Sequence, residues 1–261
     1  MFRVKKGIFF RIVFYICGLL ILALGIILNT KSGLGVSPII SVSYSTSQIT
    51  GLNFGNMTFL LYGIFVVIEL ILHTVSYVKN RNCSSENNPT KSKLSVTLLT
   101  DVLQFPLSLV FTRFMNLFSD LIPTPTEILP QFAVLLLGII FTGIGAAMSL
   151  NMRIIPNPGD GIVQAISDCI GKSVGFTKNC FDLTNICITI VICLIFAHKL
   201  IGIGIGTVIS VLGVGRVIAL FNHLFMDKML KISGLKIRYN FPLKTLLCKV
   251  FFLCNNKLLY A

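Results

Sequence analysis

Long apolar runs, each wide enough to cross a bilayer, organise the chain. The first extends from Ile8 to Leu28 and is broken only by Arg11 near its start. Others cover about 57–76, 96–115, 132–150, 177–197 and 200–221, the third and fifth with charges that leave their ends soft by a few residues. At about 1.5 Å per helical residue, a run of this length crosses a hydrocarbon core of roughly 30 Å. The pattern predicts an all-α, polytopic membrane protein of about six spans.

Two shorter segments interrupt the spans, Ser37 to Ile49 and Asn157 to Cys169. Each opens with a residue suited to cap a helix, followed by proline at the first helical position. Asp160 falls in the first turn of the second segment, where an acid favours the positive end of a helix. Gly51 and Gly171 are the expected stops. A helix of 13 residues is only about 20 Å long, too short to span. It can lie flat at the interface or dip between the spans as a half-helix. The polar content favours dipping, because polar groups at depth must face protein or water. The first segment carries Ser37, Ser41, Ser43, Ser45 and Ser47, and the second carries Asp160, Gln164 and Asp168. Two dipping N-termini would present free N–H groups to a shared hollow, suited to an anion or a carbonyl oxygen.

The segments belong to a repeat. At an offset of 120, Gly18 matches Gly138, Gly25 matches Gly145, Pro38 matches Pro158 and Ser47 matches Ser167; Gly51 and Gly55 match Gly171 and Gly175. The halves cover about 8–115 and 132–222, separated by Ser119 to Pro130, where three prolines are expected to block a helix. Three spans per half is an odd number, so the second half is expected upside down: two inverted three-span repeats, each with a short Pro-led half-helix. Residues 1–225 form a single membrane domain on this reading, and 226–261 a basic cytoplasmic tail. The run Leu243 to Leu253 in that tail suits a helix lying on the inner leaflet.

Charge supports this layout. The net charge is +13, but the cations are sorted by side. Arg3, Lys5, Lys6, Arg11, Lys79, Arg81, Lys91, Lys93, Arg153, Lys172 and the tail share one side; Lys31 and Lys199 lie on the other. That is the positive-inside signature, with both termini cytoplasmic. It accounts for the basic excess without nucleic acid. The first run is too long for a signal peptide and has no cleavage pattern after it. The cysteines fall mostly within apolar runs, no CxxC pair occurs and the histidines are isolated, so neither disulfides, a metal site nor a cofactor is expected.

The stretches Gly18 to Leu28, Gly33-Leu-Gly-Val-Ser-Pro38 and Gly51-Leu-Asn-Phe-Gly55 resemble the YczE branch of the YczE/YyaS/YitT bacterial membrane proteins. Arg11, Pro158-Gly-Asp-Gly161 and Gly202 to Val208 are similar to that pattern as well. The resemblance covers roughly 8–225 and implies a bacterial inner-membrane protein. The family's aromatic and acidic positions after the first proline are here Ile39 and Ile40, so of the two halves only the second keeps its acid, Asp160.

Several charges lie within the spans. An acid at mid-span costs about 2.5–3.5 kcal/mol on insertion scales, and Glu69 is the strongest case: a proton- or cation-coupled site, or a protonated glutamate bonded to a neighbouring helix. Lys178 and Asp182 are spaced to pair on one helix face, with a structural role expected. Arg216, about a turn and a half from the end of the last span, either snorkels to the interface or meets Asp160, Asp168 or Asp182. Asp101 and Arg113, near opposite ends of one span, are expected to reach water. Gly202, Gly206 and Ser210 form a small-residue stripe for close helix approach.

The leading expectation is a small-solute transporter or channel. Ser37, Pro38, Ser41, Ser45, Asn157, Gln164 and Lys178 join Glu69, Asp160, Asp168, Asp182 and Arg216 as binding or coupling candidates. The competing expectation is a non-transporting accessory or sensor, holding a protein partner, a ligand or a second copy of itself. An enzyme is not expected. Gly171-Lys-Ser-Val-Gly175 matches the nucleophile-elbow letters, but a helix precedes it where a strand is required.

Overall fold

The computed structural model describes residues 2–83 and 90–235; the Leu243–Leu253 run and the rest of 236–261 lie outside the described residues. Among those described there are eight helices and no strands: α1 (Phe2–Lys31), α2 (Pro38–Thr50), α3 (Phe54–Cys83), α4 (Thr90–Leu121), α5 (Ile128–Asn151), α6 (Pro158–Ile170), α7 (Val174–Phe196) and α8 (Ile205–Ile232). Six of them are long and apolar enough to cross a membrane.

The surface and the interior have the polarity that lipid requires. Leu60, Ile64, Val67, Ile71 and Val75 form one exposed stripe along α3, and Val191, Leu194 and Ile195 do the same on α7. Ser41, Ser43, Thr58, Glu69, Gln104, Thr189 and Ser210 are buried. Water would select the opposite arrangement; hydrocarbon selects this one, because each polar group needs an internal partner. The chain is a multi-pass membrane protein.

Helix boundaries recur 120 positions apart. α1 ends at Lys31 and α5 at Asn151; α2 runs Pro38–Thr50 and α6 Pro158–Ile170; α3 begins at Phe54 and α7 at Val174. Both short helices stop at a glycine in the left-handed region, Gly51 at φ 71° and Gly171 at φ 66°. Ser47 Oγ donates to Leu52 O at 2.6 Å and Ser167 Oγ to Lys172 O at 2.7 Å, the same lock on the turn in each half.

α1 and α5 cross antiparallel in backbone contact. Ascending positions 18, 22, 25 and 29 on α1 meet descending positions 149, 145, 142 and 138 on α5. A methyl group added at Gly138 would lie 2.6 Å from the Asn29 nitrogen, and one at Gly25 would strike Thr142. Only glycine permits this approach. The short helices pack against the other spans, α2 against α7 and α3, α6 against α3 and α7.

The extended strands of chain that lead into the short helices have their polar groups met by neighbours. Val36 N–H donates to Gly202 O and Gly206 N–H to Leu34 O, both at 2.8 Å. On the other lead-in, Arg11 Nε and Nη2 donate to Met152 O and Arg153 O at 2.7 Å, and Tyr15 Oη donates to Ile155 O at 2.8 Å. Arg11 thereby sets its cation at the carbonyl end of α5, where the dipole favours it.

Some expectations are corrected. The last span does not begin at 200: Gly202 and Gly204 precede α8, because Gly202 takes a turn conformation with φ 77°. The small-residue stripe therefore starts at Gly206. α8 also continues past residue 225 to Ile232, since Met229 and Leu230 are buried in the core. Of the prolines in the 119–130 stretch, Pro130 sits in the first turn of α5, where a missing N–H costs nothing. Neither Ser37 nor Asn157 caps its helix with its side chain; Asn157 instead bonds to Tyr62.

Candidate functional site

The N-termini of α2 and α6 meet inside the bundle. A methyl group added at Gly159 would lie 2.8 Å from Ile39 Cδ1, and both tips border one small cavity of about 40 Å³. Ser37 and Pro38 of the first tip and Asn157 and Asp160 of the second line it. The rest of the wall comes from the interiors of five spans, including Leu22, Tyr62, Thr142, Lys178, Asp182 and Ser210. The volume admits a few waters but no organic solute.

Around this cavity the charges are close. Lys178 Nζ lies 3.4 Å from Asp182 Oδ2 across one helical turn. Lys178 also acts electrostatically on Asp160. Asp182 is buried and its Oδ1 has no partner. Asn157 Nδ2 donates to Tyr62 Oη at 3.3 Å, which fixes the second tip against α3. The pair expected from the i, i+4 spacing of Lys178 and Asp182 forms, and both residues line the cavity.

A second polar group lies beside α6. Glu69 is only 1 % exposed, and its Oε2 accepts from Gln104 Nε2 at 2.6 Å. One turn further along each helix, His73 Nδ1 and Asp101 Oδ2 are 2.7 Å apart. Asp101 is buried, not in water, and His73 is not isolated. The reason is register: α3 and α4 pack so that residues 69 and 73 face 104 and 101. Polar residues one turn apart inside two adjacent apolar runs were a readable signal of this pairing. Tyr62 and Thr142, by contrast, carry no sequence mark that sets them apart from other residues of their spans, and Ser210 was marked only by its place in the small-residue stripe.

The remaining candidates are distributed as follows. Ser41 Oγ donates to Pro38 O and shares a hydrogen bond with Thr189 Oγ1 at 2.8 Å, so it joins α2 to α7. Ser45 Oγ donates to Ile201 O at 2.7 Å. Gln164 Nε2 donates to Asp168 Oδ1 at 3.0 Å on the exposed side of α6, away from the half-buried Asp160. Arg216 is exposed on α8 and lines no part of the cavity. Arg113 is exposed and donates to Asn56 Oδ1 at 3.1 Å.

Comparison with known proteins places this architecture. A family model described as a family of unknown function, DUF6198, matches residues 9–223. The chain belongs to that family. It is 25% identical over 217 residues to the uncharacterized membrane protein YczE of Bacillus subtilis (strain 168), covering 82% of this chain and 86% of that protein. It is also 25% identical over 218 residues to the uncharacterized protein YyaS of the same organism, covering 83% and 92%. No solved structure gives a significant match. The family match ends at residue 223, within α8, and takes in every residue of the cavity wall.

Proposed function

We propose that this protein moves a small polar solute across a bacterial cytoplasmic membrane, with both termini in the cytoplasm, through a site at the junction of two inverted repeats. The supporting observation is the convergence of two Pro-led helix tips on one charged cavity. The charges suggest the solute's class. Asp160 and Asp182 against Lys178 leave a formal −1, and two helix N-termini contribute roughly +0.5 each. A near-zero total suits a neutral or zwitterionic solute with both hydrogen-bond donors and acceptors. The described conformation is then a closed one, and an opening motion of the tips must precede entry.

Inversion is supported by the α1–α5 crossing. The contact of Gly18 with Gly145 maps onto that of Gly138 with Gly25 when each residue is replaced by its match. A contact that maps onto itself between antiparallel helices is what a two-fold axis in the membrane plane produces. Cysteine labelling in intact cells tests it. In a background with the native cysteines replaced, Asn53→Cys should react with an impermeant reagent from outside, and Lys172→Cys only after permeabilisation. Labelling of both from one side would overturn the inverted arrangement. Transport itself is tested by uptake in proteoliposomes across a panel of neutral and zwitterionic metabolites. Uptake should be lost in Asp160→Asn; no uptake and no binding across the panel would remove the reading.

A second reading, a non-transporting accessory or sensor that binds a partner protein or ligand, draws on the small size of the cavity. A stoichiometric protein partner on purification, with no solute-induced thermal shift, would favour it. We do not propose an enzyme: the cavity groups include no nucleophile held by a base.

A further inference from the structure

Two buried oxygens point to a missing proton. Glu69 Oε1 and Gln104 Oε1 both lack a hydrogen-bond partner. Both residues are buried, Glu69 to 1 % and Gln104 to 0 % exposure. The Glu69 oxygens lie 2.8 Å, and Gln104 Oε1 2.9 Å, from the point where a side chain would begin on Gly161 of α6. Two unmet acceptors crowded beside one backbone position in a dry interface are each costly. One proton removes the conflict. With Glu69 in its acid form, its O–H donates to Gln104 Oε1 while Gln104 Nε2 donates to Glu69 Oε2, closing a ring of two hydrogen bonds.

We propose that Glu69 is a proton-binding site, its acid form held in a ring with Gln104 for as long as α6 seats Gly161 against the pair. Among the described residues, no lysine or arginine forms an ion pair with Glu69, so an ionised carboxylate there would stand uncompensated. The other titratable groups around it are His73 on α3, Asp101 on α4 and, within electrostatic reach of His73, Asp168 on α6. On α6, Gly161 sits directly against the carboxyl group. His73 is the exit. Its side chain is 20% exposed against 4% for Asp101, and it lies one turn from Glu69 toward the helix end shared with the C-terminal part of α6. The O–H bond of Glu69 breaks, and the proton goes to the His73 nitrogen not bonded to Asp101. The resulting imidazolium pairs with the Asp101 carboxylate and then yields the proton to water beside Asp168. A shift of α6 that admits water to Gly161 exposes the ring and allows this release, so proton binding and α6 position are linked.

Calling this proton a coupling ion rests on the transport reading; the proton site itself does not. Infrared spectra of the full chain in lipid vesicles, without any solute, should show a protonated-carboxyl C=O band at neutral pH that Glu69→Gln removes. An unchanged band in Glu69→Gln would overturn the site, whatever uptake assays show. Gln104→Met should shift that band to higher frequency, since the C=O loses its donor; no shift would overturn the ring. Gly161→Ala, which forces α6 away, should weaken proton binding about tenfold. Unaltered titration in that variant, with native helix content, would overturn the link to α6. Active uptake without the band, or the band without uptake, tells the failure of one proposal from that of the other.

Discussion

Two contacts at matching places in the two halves carry opposite chemistry. Where α2 meets α7, Ser41 faces Thr189 in a neutral hydrogen bond of 2.8 Å. Where α6 meets α3, the residues 120 positions away are Gly161 and Glu69, and a third helix supplies Gln104. The first junction is closed: hydroxyls satisfy one another and have no charge state to change. The second has an acid, no side chain opposite it and two unmet acceptors. The same division holds along the short helices. α2 buries Ser41, Ser43, Ser45 and Ser47, whereas α6 leaves Gln164 and Asp168 exposed. Matching helices thus differ in chemistry: one short helix ties up its hydroxyls in the bundle, and the other packs a bare glycine against an acid and leaves its polar side chains exposed.

The scaffold common to both halves should break hardest. Gly145→Val drives a side chain into the Leu22 backbone on α1, and should cost about 3 kcal/mol or more, read as loss of monodisperse protein or a fall in unfolding temperature. Next, Lys178→Met leaves Asp182 and Asp160 without their cation. The loss should be roughly 2 kcal/mol, below the range for a fully buried pair because the lysine side chain is 30% exposed. Across the two unlike junctions, Glu69→Ala should cost about 1–3 kcal/mol by stranding the Gln104 amide. Thr189→Ala should cost only about 0.6 kcal/mol, an ordinary interhelical hydrogen bond in lipid. Chemical unfolding in mixed micelles compares the two, and equal values would erase the contrast. The smallest and most symmetric effect belongs to the turn locks. Ser47→Ala and Ser167→Ala should each cost about 0.5 kcal/mol, and by the same amount, because both bonds are only partly buried and differ by 0.1 Å.

Much of this architecture could be read along the chain. Six apolar runs, the Pro-led short helices and their glycine stops are local features, set by hydropathy, a fixed φ and a missing Cβ. The offset of 120 was legible for the same reason, because glycines and prolines mark backbone geometry wherever they fall. The limits of reading also had physical causes. Asp101 and His73 looked like separate polar residues, since pairing depends on the register of α3 against α4. The serines of α2 looked like a solute path, yet Ser41 and Ser45 are consumed by Thr189 and the Ile201 carbonyl. Arg216 could be read either as snorkelling or as meeting an acid, and only the rotation of α8, which turns it outward, decides between them.

By itself the sequence determined the solvent, the number of spans and the places where helices start and stop, because each of these depends on a residue and its near neighbours. Only the tertiary structure decided that two distant tips share one cavity, that Lys178 and Asp182 face it, and that Glu69 and Gln104 meet across Gly161. Those facts depend on how helices rotate and cross, and rotation is chosen by packing over the whole bundle rather than by any one segment.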